Sequence, residues 1–162
     1  MKSKKIALLG MWGVGKTSLV QQFVHSIYDE KYQSTLGVKV DQKIVTIDGG
    51  DIKLMLWDIA GAEETFSVPA SYIRGASGYL LVIDGTRAQS LRCAMELISD
   101  IEEQIPGLPF IPVVNKSDLE WEITDEEIST AFEPFNTDII RSSAKTGENV
   151  NTAFLSLARK LL

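Results

Sequence analysis

The segment Gly10-Met11-Trp12-Gly13-Val14-Gly15-Lys16-Thr17 has the form G-x-x-x-x-G-K-[ST], between an apolar run ending at Leu9 and a helical pattern starting near Lys16. Its glycines let successive backbone N–H groups curl round an anion, and the start of a helix adds partial positive charge. Lys16 reaches the terminal phosphates of such a ligand, and Thr17 offers a hydroxyl to Mg2+. A glycine-rich turn with a chance lysine is the bland alternative; the strand-to-helix context argues against it. A second group, Asn115-Lys116-Ser117-Asp118, follows an apolar run over 110–114. Read alone, it is equally an ordinary strand-exit turn. With a phosphate cradle upstream, it becomes a reader of a base. A carboxylate at Asp118 accepts from both N1–H and the exocyclic amine of guanine, whereas adenine presents it with an acceptor and leaves the charge unmatched.

Both groups need a scaffold that brings strand ends together. Short apolar or β-branched runs at 5–9, 38–47, 52–57, 79–84, 110–115 and 138–141 predict strands. They alternate with stripes at helical spacing: Leu19/Val20/Phe23/Val24/Ile27, Leu91/Met95/Ile98/Ile101/Ile105 and Val150/Ala153/Phe154/Leu157/Leu161. The turn Asp48-Gly49-Gly50-Asp51 leaves no room for a crossover helix, so the second and third strands must form an antiparallel hairpin. The others, joined through helices, must be parallel, which gathers their carboxyl ends along one edge, where ligands bind in such sheets. The polar connections 29–37 and 59–71 read as mobile loops.

The 162 residues suit one domain, 1–162, and hold no repeat, linker or membrane-length apolar run. A net charge of −6 opposes binding to nucleic acid or to an anionic lipid surface. Cys93 is the only cysteine, which excludes an internal disulfide framework or cysteine-cluster metal site and fits a reducing, cytoplasmic setting. Lys2 after Met1 and the absence of a cysteine near Leu162 leave no site for a lipid anchor on this chain, and a monomer is expected.

Five motifs in order carry a resemblance to small GTPases of the Ras superfamily, closest to the Ras and Rab branches, through essentially the whole chain. They are the phosphate loop, Thr35 within Tyr32-Gln33-Ser34-Thr35-Leu36-Gly37, Trp57-Asp58-Ile59-Ala60-Gly61, Asn115-Lys116-Ser117-Asp118 and Ser143-Ala144-Lys145. The resemblance implies an α/β fold, the P-loop NTPase G domain: a six-stranded mixed sheet with one antiparallel strand, flanked by helices on both faces. It implies GTP and GDP as ligands with Mg2+ as cofactor, the metal held by Thr17, by Thr35 and, through water, by Asp58. Nucleotide contacts are then expected from Gly13, Val14, Gly15, Lys16, Thr17, Ser18, Tyr28, Thr35, Gly61, Asn115, Lys116, Asp118, Ser143, Ala144 and Lys145. Tyr28 would stack on the base, and the Ala144 N–H would meet the guanine carbonyl. Lys16, Thr35, Gly61 and position 62 are the catalytic positions, and effectors, exchange factors and activating proteins would bind from Asp29 to Val40 and from Ile59 to Arg74.

Two positions depart from the family pattern. Ala62, followed by Glu63 and Glu64, stands where a glutamine ordinarily orients the attacking water, so hydrolysis is expected to be very slow. Trp12 places an indole in the phosphate loop where a small residue is usual, across the approach of a partner's arginine. Ala62 fits either native divergence or a substitution made to trap the triphosphate. The same two residues support an alternative output, a non-catalytic, GTP-locked binding module. An enzyme acting on ATP fits poorly with Asn115–Asp118 and with the lack of any inserted lid. Trp57 and Tyr72 match two members of a Rab-type aromatic patch whose third is Val40 here; closing the core is their other reading. His25 reads as a surface residue, and Trp121 with the acidic stretch 120–127 as a solvated loop opening a helix capped by Thr124 over Glu127.

Overall fold

The computed structural model describes residues 1–29, 37–60 and 68–162. Every apolar run predicted as a strand is one: β1 (Lys2–Gly10), β2 (Val38–Ile47), β3 (Gly50–Ile59), β4 (Gly78–Asp84), β5 (Phe110–Asn115) and β6 (Ile140–Arg141). The helices are α1 (Lys16–His25), the single turn α2 (Ala70–Ile73), α3 (Ala88–Gln104), α4 (Asp125–Phe132) and α5 (Val150–Lys160). The short α2 was not legible, because four residues carry no period.

The sheet order is β2-β3-β1-β4-β5-β6. Only β2 and β3 pair antiparallel; all other pairs are parallel. The hairpin turns through Asp48 and Gly49, both at positive φ (52° and 81°), the twist a two-residue turn between strands requires. β4 is buried at all seven positions, so both faces of the sheet are covered there. α3 packs on β1 and β4, and α5 on β4 and β5. α5 also lies beside α1, with the Phe23 and Phe154 rings stacked 4.1 Å apart.

Parallel register aligns the carboxyl ends of three strands: Gly10 pairs with Val82, and Asp84 with Asn115. The chain runs to opposite sides of β1 after that strand, so the loop from Gly10 to Lys16 lies at the point where the strand order reverses.

Two expectations need correcting. Ile27 was placed on the buried stripe of the first helix, but Ser26 turns left-handed (φ 54°) with its N–H on the Gln22 carbonyl, ending α1 and leaving Ile27 53% exposed. The sequence suggests a solvated loop at Trp121, yet its ring is half-buried against the core, while the acidic side chains on either side of it are exposed. Thr124 does form the reciprocal cap with Glu127: its hydroxyl accepts from Glu127 N–H at 3.1 Å, and its own N–H donates to the Glu127 carboxylate at 3.2 Å.

Candidate functional site

α1 begins without a side-chain cap or an acidic residue in its own first turn. Gly15 precedes it at φ 106°, and a Cβ there would come within 2.3 Å of Asn115 Nδ2, so both conformation and space demand glycine. Lys16 folds back over the loop, donating to the carbonyls of Gly10 (2.9 Å) and Met11 (3.3 Å). Burial pushes its ammonium down to about 8, and the Asp58 carboxylate opposes the shift. The Thr17 hydroxyl donates to Asp58 Oδ2 at 2.6 Å, joining the end of β3 to the start of α1. That pair of hard oxygen donors fits Mg2+.

Asn115, 2% exposed, is spent on the protein itself. Its Nδ2 donates to Val14 O (3.0 Å), and its Oδ1 accepts from Ser142 Oγ (3.2 Å) and from the Ala144 N–H (3.1 Å). The Ala144 amide expected at a guanine carbonyl is therefore engaged by Asn115, which fixes it in place at the rim. Ser143 Oγ donates to Asp118 Oδ1 at 2.7 Å and so aims the exposed carboxylate. Gly15, Ser18, Tyr28, Asn115, Lys116, Asp118, Ala144 and Lys145, with Leu119, line one pocket. The structure thus brings together most of the residues marked by sequence. Gly13 and Val14 lie in the adjoining loop, their carbonyls held by Lys116 Nζ (3.2 Å) and Asn115. Thr35, Gly61 and Ala62, with Tyr32, Glu63 and Glu64, lie outside the described residues.

Two residues at the site were missed. Asp84, fully buried at the end of β4, pairs with Lys116 Nζ at 2.7 Å and accepts from the Thr86 N–H and hydroxyl. Arg87 approaches the same carboxylate at 3.9 Å and donates to Trp12 O at 2.9 Å and to Met11 Sδ at 3.2 Å. Lys116 and Arg87 each link this acid to a carbonyl of the phosphate loop. An acid closing an otherwise apolar strand on the ligand edge was the available signal for Asp84; nothing local marks Arg87.

On the neighbouring face, Val40 pairs with Trp57 across the hairpin. Val40 is exposed, Trp57 and Tyr72 are half-buried against the core, and Lys5 Nζ sits 3.6 Å from the Trp57 ring. His25 is exposed. Among the described residues, no three His, Cys, Asp or Glu side chains are grouped to hold a metal, and no helix is long and apolar enough to cross a membrane.

The family model described as Ras family matches residues 5–162. The chain is 36% identical over 161 residues to the Ras-related protein Rab-4B of Homo sapiens, covering 98% of this chain and 76% of that protein. Rab-4B of Rattus norvegicus gives the same figures. The GTP-binding protein ypt1 of Schizosaccharomyces pombe is 32% identical over 160 residues, covering 97% and 79%.

Proposed function

The chain belongs to the Ras family of small GTPases, and we propose that it is a guanine-nucleotide switch that binds GTP and GDP with Mg2+ and hydrolyses GTP very slowly. The observation that carries this reading is a pocket in which Ser18 and Gly15 of the phosphate-loop end meet Asp118, Lys116 and Ala144 of the base end. Across the pocket and the adjoining loop, Gly13, Val14 and Gly15 contact the phosphates, and Lys16 neutralises the terminal ones. Thr17, Thr35 and Asp58 would hold Mg2+, Asp58 through water, and the ion would supply positive charge beside the phosphate oxygens. Tyr28 covers the base, Lys116 its edge, and Asp118, steadied by Ser143, takes both guanine donors. Ala144 and Lys145 close the rim, and the Gly61 N–H meets the γ-phosphate.

Hydrolysis breaks the bond from the γ-phosphorus to the bridging oxygen as water attacks in line. Ala62 carries no amide to orient that water, so in this reading turnover acts as a slow timer. The segments from Asp29 to Val40 and from Ile59 to Arg74, with Trp57 and Tyr72, are the surface for effectors, exchange factors and activating proteins. Trp12, 40% exposed on the phosphate loop, favours a second reading in which the GTP form is locked and partner binding is the only output. Identifying the nucleotide released from the purified, denatured protein, then following loaded GTP through a single turnover, separates the two. GDP with phosphate release means a timer, and intact GTP over hours means a locked module; no guanine nucleotide at all would overturn both.

Asp118→Asn replaces a charged acceptor of two donors by an amide that can accept only one, so GTP affinity should fall about a hundredfold while ATP affinity stays nearly level. Competition titration of GTP against ATP reads this directly. An unchanged ratio would mean that the base is read elsewhere.

A further inference from the structure

Lys116 lies between the two ends of the base-reading loop and has a left-handed backbone (φ 72°), unfavourable for a residue with a Cβ. Something must hold it there. Its carbonyl accepts from the Leu119 N–H at 3.0 Å, which closes the turn, and from the indole N–H of Trp121 at 2.8 Å. The indole is itself tightly seated. A Cβ on Gly85 would fall 2.3 to 2.4 Å from three atoms of its ring, so the ring rests on bare backbone at the end of β4. The Gly85 carbonyl also accepts from the Glu122 and Ile123 N–H groups at 2.9 and 3.1 Å. The Arg141 guanidinium lies 5.3 Å from the ring centroid. Arg141 leads into the other base loop, where the Ser142 carbonyl accepts from the Ser117 N–H at 2.9 Å and Ser143 aims Asp118.

We propose that Trp121 is a positioning residue for the guanine site: its N–H on the Lys116 carbonyl and its ring between Gly85 and Arg141 fix the peptide direction that delivers Asp118 to the base. The proposal rests on the guanine reading above and deepens it. Trp121 is not among the residues that line the pocket; it acts through the Lys116 backbone.

Trp121→Phe keeps an aromatic ring on Gly85 and removes the N–H. GDP dissociation should quicken about fivefold, the loss expected for one buried hydrogen bond. The decisive measurement is the preference for GDP over inosine diphosphate, which lacks the exocyclic amine that meets Asp118. That preference should fall in Trp121→Phe, and further in Gly85→Ala, which displaces the ring without altering any residue of the base-reading loops. If both diphosphates weaken equally, or only the urea midpoint drops, Trp121 is a packing residue and the proposal is overturned. A wild-type protein that fails to prefer GDP over ADP would overturn the guanine reading instead, before any variant is made.

Discussion

Lys16→Ala is expected to lower affinity for GTP and GDP by about a thousandfold, in line with the roughly 3–5 kcal/mol lost when one partner of a buried ion pair is removed. Lys16 is 6% exposed, and burial has already pushed its ammonium down to about 8, so solvent screens its charge poorly. The deletion would act on the ligand as well as on the lysine, because phosphate oxygens bound in the loop would lose the charge of a buried ammonium. Lys16→Met separates charge from bulk by keeping the apolar stem. Calorimetric titration should find both variants weak, and a methionine variant that binds GTP normally would show that the ammonium is not the phosphate ligand. The urea midpoint should shift little beside this loss, since among the described residues Lys16 Nζ bonds two loop carbonyls.

Ala62→Gln should accelerate single-turnover hydrolysis of bound GTP about a hundredfold, the scale on which one transition-state hydrogen-bonding group acts. Ala62 lies outside the described residues, and the prediction rests on the motif Trp57-Asp58-Ile59-Ala60-Gly61 that leads into it. A glutamine there supplies an amide oxygen to accept from the attacking water and an N–H2 to donate to the γ-phosphate oxygen. If the rate does not rise, Trp12 is the dominant block, and Trp12→Gly in the Ala62→Gln background should release it. Such strong non-additivity would place both side chains at the same reacting group. If neither variant is faster, the locked-module reading stands.

What the sequence made legible were residues whose chemistry and spacing coincide. The phosphate loop needs its glycines next to Lys16, and the hairpin turn needs Asp48-Gly49, so local order reveals them. Residues that act across the fold leave no such trace. Arg87 reaches Trp12 O from 75 positions away, and Asn115 reaches Val14 O from 101. Asn115 was marked as a nucleotide contact on its motif alone; its side-chain bonds in the structure knit the phosphate loop to the base loops. Trp121 was misread because acidic neighbours make the stretch look solvated, while its anchor, the bare backbone of Gly85, lies on a strand end that the local sequence does not name. Ile27 failed differently: the helical period continues through it, and only the left-handed turn at Ser26 stops the helix.

The buried carboxylate of Asp84 ties the base loop to the phosphate loop through two cations. Lys116 is held by this acid and by the Gly13 carbonyl, and Arg87 spans the same acid and the Trp12 carbonyl. In the proposed guanine site, a ligand that shifts the phosphate loop would shift the anchor of Lys116, and a base that moves Lys116 would act back on the loop. Coupling of this kind is reciprocal by necessity. In the proposed site, nucleoside and phosphate chain would then bind as coupled parts, and a partner that displaces one end would act on the other.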